Sequence, residues 1–117
     1  MMRLWNTLHT LGALAVLLAG GPVHAAPTFA KDVAPLVNRY CGKCHGEKKP
    51  KGGVALTPFR DDASVLKKRS VWEQVADNLR SGDMPPPGKP QPSDAELETI
   101  NAWLDAVVFQ MDCNGPK

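Results

Sequence analysis

Five consecutive residues, Cys41-Gly42-Lys43-Cys44-His45, constrain this chain more than any other feature. Cysteines at i and i+3 share one face of a helical turn. Their two thiols can therefore react with two groups on one flat ligand, and the histidine that follows is held beneath its centre. C-x-x-C-H is the spacing of c-type haem attachment, with each thiol on one porphyrin vinyl group and the histidine as the proximal iron ligand. Such a chain has to fold around its cofactor, because the covalent links make the macrocycle a permanent part of the core. Three other readings compete. Half of a zinc site would need four ligands and would have to recruit Cys113, almost at the C-terminus. A redox dithiol calls for a βαβ sequence, and no alternating strand-like runs surround the motif. The plainest alternative is a short-loop disulfide.

The compartment bears on that choice. Arg3 is the only charged residue before Lys31, and Leu11 to Ala19 is an apolar core. Gly20-Gly21-Pro22 breaks it, and Val23-His24-Ala25 offers small residues where a signal peptidase reads. This order is that of a secretory signal over residues 1–25. The apolar run is shorter than the ~20 residues that span a bilayer, so cleavage is expected rather than a membrane anchor. Removing 25 of the 117 residues leaves 92 and lowers the net charge from +2 to +1. His9 and His24 leave with the signal, which makes His45 the only histidine of the mature chain and excludes bis-histidine ligation within it.

The remainder predicts three main helices and two long loops. Phe29, Val33, Leu36, Val37 and Tyr40 recur at helical spacing, with Thr28 as N-cap and Pro35 as an expected kink. Ser70-Val71-Trp72-Glu73 has the form of a capping box and opens a helix lined by Trp72, Val75 and Leu79, which Gly82 should end. Ser93-Asp94-Ala95-Glu96 repeats the box before Leu97, Ile100, Leu104, Val107, Val108 and Met111. Phe29 or Val33 should pack against Trp103 and Leu104. Between Cys44-His45 and the second helix, Gly46 to Gly53 reads as a polar loop whose glycines suit either close approach to the haem or a free surface turn.

The second loop carries the other ligand candidate. Five of the eleven prolines fall between Pro85 and Pro92. Proline keeps the preceding residue out of the helical region, so Met84 sits in a stiff, extended segment. A thioether presented this way loses little entropy on binding iron, and methionine opposite histidine raises the reduction potential. Met111 falls on the apolar stripe of the last helix and is better explained as core. A five-coordinate iron, or a lysine in the sixth position, is the alternative to Met84.

These residues resemble a class I c-type cytochrome and, more narrowly, the planctomycete-type cytochrome c domain. The matching elements are Phe29 and Val33-Ala34-Pro35-Leu36 leading to Cys41-x-x-Cys44-His45-Gly46, then Lys51-Gly52-Gly53-Val54-Ala55-Leu56. Trp72-x-x-Val75-x-x-x-Leu79-x-x-Gly82-x-Met84-Pro85-Pro86 and Ile100-x-x-Trp103-Leu104 complete the pattern. The resemblance implies an all-α, small cytochrome c-like fold around one covalently attached haem c. It implies Cys41 and Cys44 as thioether links, His45 and Met84 as axial ligands, and one-electron transfer rather than enzymatic turnover. It assigns residues 26–112 to a cytochrome c domain and 113–117 to a tail similar to the start of a linker, in a short stand-alone member or the first part of a longer protein.

The expected partners are redox proteins in the periplasm or an equivalent exported compartment. Nucleic acid is not expected at so small a net charge, nor is stable membrane insertion after cleavage. Lys43, Lys48, Lys49 and Lys51 flank the haem motif, where they could steer an acidic partner or simply form a solvated loop face. Two ionised haem propionates would take the mature charge to about −1. Two further classes stay open: a haem with a free sixth position for peroxide or gas chemistry, and a zinc-binding structural module.

Overall fold

The computed structural model describes residues 20–22 and 24–110. The apolar segment of the expected signal, Leu11 to Ala19, lies outside the described residues, as do Met111 and Cys113. Among those described, all regular structure is helical. A π-helical turn, Phe29–Val33, runs into α1, Ala34–Tyr40. A 3-10 turn, Lys51–Gly53, and a short α2, Asp62–Leu66, precede α3, Arg69–Ser81. Then come α4, Asp94–Trp103, and a second π turn, Leu104–Val108. The all-α fold and its three long helical segments are as expected; α2 is an addition.

Pro35 does not break the first helix. It stands in the first turn of α1, directly after the wider π turn, where Ala34 N–H reaches back to the Phe29 carbonyl. The widened turn absorbs the proline, which lacks an N–H and would crowd a carbonyl in a regular helix interior. Thr28 is at the N-cap position but its hydroxyl does not cap; the Asp32 carboxylate instead accepts the Thr28 N–H at 2.8 Å.

The capping box expected at Ser70 does not form. α3 begins one residue before Ser70, at Arg69, and has no side-chain cap. The box forms earlier: Asp61 accepts the Ser64 N–H at 2.8 Å, and Ser64 Oγ accepts the Asp61 N–H at 3.1 Å. That box starts α2, whose proximity leaves α3 no free N-terminus to cap. The Ser93–Glu96 box forms as read. Gly82 ends α3 with φ 81°, the left-handed conformation that suits glycine.

The core is aromatic and joins the first helical segment to the last among the described residues. Phe29, Trp72 and Trp103 are almost fully buried, with ring centroids 5.3–5.4 Å apart. Phe59 adds a fourth ring 5.2 Å from Trp72. Pairs of this geometry add about 0.5–1.5 kcal/mol each beyond burial. The first helix therefore packs on the last through Phe29 and Trp103, as the periodicity implied. One oxygen of Asp62 ties the same region together, accepting the Phe29 N–H at 3.0 Å and the Trp103 indole N–H at 2.8 Å.

Glu96 has a second task besides capping. Its Oε2 accepts both the Ser93 N–H and the Tyr40 hydroxyl at 2.8 Å, and Arg39 lies 3.4 Å from Oε1. The Ser93 N–H, then the Tyr40 hydroxyl, hold the Glu96 carboxyl below its usual range. The same hydrogen bond to Glu96 pushes the Tyr40 phenol up. The folded state thus binds protons at Glu96 less readily than the unfolded chain. The stability this confers is present above the ordinary carboxylate pKa, about 4.3, and is lost as pH falls through the lowered folded value. Glu96→Gln should destabilise the protein at neutral pH and flatten its acid limb. Urea midpoints of variant and parent, followed against pH, should converge below about pH 4; a constant gap would refute the assignment.

Candidate haem site

α1 delivers the cysteine motif without a break. Cys41 N–H donates to the Val37 carbonyl at 2.8 Å, and His45 N–H donates to the Cys41 carbonyl at 2.8 Å. The motif therefore continues as one helical turn, with Cys41, Cys44 and His45 all half-buried along it. Gly42 has no room for a side chain, since a Cβ there would lie 2.6 Å from the Asn38 carbonyl oxygen and 3.2 Å from Thr57 Cγ2.

Burial pushes the Cys41 thiol up to about 11, with the neighbouring Cys44 adding to the effect. The redox dithiol reading needs the opposite, a lowered thiol pKa. The two cysteines are not bonded to each other. Among the described residues no group of three or more His, Cys, Asp or Glu is arranged to hold a metal ion by itself.

His45 is oriented by a backbone carbonyl. Its Nδ1 lies 2.8 Å from the Val54 oxygen. A carbonyl only accepts, so Nδ1 carries the proton and the lone pair is on Nε2, which is the tautomer a metal ligand needs. The loop after the motif folds back to supply this carbonyl: Lys51 N–H donates to Cys44 O at 2.8 Å and Leu56 N–H to His45 O at 2.7 Å. Gly52 and Gly53 have φ of 64° and 69°. That left-handed backbone is itself sufficient reason for glycine at both positions.

Met84 lies on the proline loop after α3, outside the core and 41 % exposed. Its N–H is tied to the end of α3 through the Asn78 carbonyl at 3.1 Å. Trp72 is a central core residue whose indole N–H has no hydrogen-bond partner among the described residues. Two participants escaped sequence reading. Val54 acts through its backbone, which no side-chain pattern reveals. Gln91 donates from its side-chain amide to the carbonyls of the proline loop.

The donor set fits a c-type haem: two cysteines on one turn, Cys41 as a neutral thiol, and an imidazole with its Nε2 lone pair free. A family model described as cytochrome c oxidase, cbb3-type, subunit III matches residues 28–104. The chain belongs to this cytochrome c family. No curated protein and no solved structure matches it. Cytochrome c domains bind haem and carry electrons, and the matched span holds Cys41, Cys44, His45 and Met84. No helix among the described residues of this cytochrome c domain is long and apolar enough to cross a membrane.

Proposed function

We propose that this chain is an exported monohaem electron carrier, or the electron-transfer module of a larger protein. Cys41 and Cys44 form the thioether links of one haem c, and His45 Nε2 and Met84 Sδ are its axial ligands. When bound, the haem supplies a reversible one-electron couple. The chain's own residues do the rest: Val54 O fixes the imidazole tautomer, and the aromatic core holds the helices that frame the group. With both axial positions filled, the iron has no site for substrate, which favours transfer over peroxide or gas chemistry.

The observation that carries this reading is the His45–Val54 hydrogen bond, because it prepares an imidazole for metal directly beside two cysteines of thioether spacing. Residues 1–25 direct export to the periplasm or its equivalent, and residues 26–112 form the cytochrome domain. The run from Trp72 to Met84-Pro85-Pro86 supports the planctomycete-type subgroup. Lys43, Lys48, Lys49 and Lys51 are all exposed beside the motif and suit an acidic redox partner.

The intact mass of the exported protein should equal the chain from Ala26 plus one haem. Its ferric spectrum should contain the weak near-infrared sulfur-to-iron band. A colourless protein with one bound zinc would overturn the haem assignment; a high-spin ferric spectrum without the band would favour the open-site alternative.

A further inference from the structure

The proline loop has few means of bracing itself. Pro85, Pro86, Pro87, Pro90 and Pro92 have no N–H. Their carbonyls still need donors, and the loop's backbone offers few. One turn closes internally: Lys89 N–H donates to Pro86 O at 3.1 Å, with Gly88 at φ 85°. This is the conformation that Pro-Gly at the two central turn positions favours.

Further hydrogen bonds to the loop's carbonyls come from one side chain. Gln91 Nε2 lies 3.0 Å from Pro85 O, 3.2 Å from Pro86 O and 3.2 Å from Lys89 O. A residue this exposed could satisfy its amide with water. Instead the amide converges on three carbonyls of one loop, two of them from the residues directly after Met84. Met84 N–H is held from the other side by Asn78 O. The segment carrying the thioether is thus anchored before and after the sulfur, once by backbone and once by Gln91.

We propose that Gln91 is a positioning residue that fixes the Met84 thioether for iron. The proposal rests on the reading of Met84 as axial ligand. Gln91 touches neither iron nor sulfur; it acts by restricting the Pro85-Pro86 backbone, so that the sulfur rarely leaves. Losing the clamp should therefore raise the fraction of time the sixth position is open.

The test uses ferric holoprotein carrying Gln91→Glu, Gln91→Leu or Gly88→Ala, with Met84→Leu as reference. Glutamate keeps the shape of glutamine but turns its donor into an acceptor facing carbonyls. Gly88→Ala strains the same turn from its other end. Binding of added cyanide to the iron, limited by departure of the sulfur, should be roughly tenfold faster in the Gln91 variants. The near-infrared band should weaken or disappear at a lower alkaline pH than in the parent. Gly88→Ala should shift both readouts in the same direction. Gln91 variants with parental cyanide rates and band would overturn the proposal, even if their thermal midpoints fell, because a merely structural role lowers stability without opening the iron. A parent lacking the band, or a Met84→Leu variant retaining it, would overturn the Met84 reading and the clamp with it.

Discussion

Replacing Trp103 with alanine is expected to destabilise the protein by about 3–5 kcal/mol, the usual range for removing a large buried aromatic. The side chain is fully buried, with Phe29 and Trp72 at 5.3 and 5.4 Å. It joins the last described helix to the first, so the cavity would open at the seam between them. Its indole N–H also ends on Asp62 at 2.8 Å. Domains of this size have only about 5–15 kcal/mol in total, so the variant should be partly unfolded at moderate temperature. Trp103→Phe separates the two contributions. It keeps much of the packing and loses the hydrogen bond, and should cost nearer 1–2 kcal/mol. Asp62 is not orphaned in either variant, because the Phe29 N–H still binds it. Urea unfolding of the holoproteins measures both values. A Trp103→Ala loss within about 1 kcal/mol of the parent would mean that the aromatic seam is not central to the fold.

The parts of this architecture legible in the sequence are those set by local chemistry. The Ser93–Glu96 box, Gly82 as terminator and the helical turn through Cys41–His45 depend on residues within a few positions of one another. The Phe29–Trp103 contact was also legible, because two amphipathic stripes in a short chain have few surfaces to bury against. The capping box at Ser70 was misplaced for a related reason. Ser-x-x-Glu is a local signal, and Asp61 with Ser64 forms a competing box a few residues earlier, which starts α2. Pro35 marked a departure from regular α-helix, but the form of that departure, a π turn just before the proline, follows from no local rule. The Asp62 node spans 33 and 41 residues of sequence and joins groups with no shared pattern. Val54 is the plainest case. Its contribution to the site is a carbonyl oxygen that every residue possesses, so only the fold can select it.

Substituting Met84 should alter the redox couple far more than the fold. The side chain is 41 % exposed and outside the core, so neither Met84→Leu nor Met84→His removes much buried surface. In both the near-infrared sulfur-to-iron band should vanish. Leucine has no donor atom, so the sixth position should open and the ferric protein become high-spin and reactive toward cyanide. Histidine supplies a stronger donor to ferric iron than a thioether does. The potential should therefore fall on the order of 100 mV or more, a fraction of the roughly 0.8 V that axial ligation spans. His45 should stay in place in both variants, because its orientation comes from Val54 O and the turn through Cys41, on the other side of the sequence from the proline loop. Far-ultraviolet circular dichroism of both variant holoproteins should match that of the parent, which separates a ligand effect from unfolding. Retention of the band, or a potential within about 20 mV of the parent (under 0.5 kcal/mol for one electron), would remove Met84 as the ligand. The sixth ligand would then have to come from a lysine or be absent, and an absent ligand would leave the iron open to peroxide or gas chemistry.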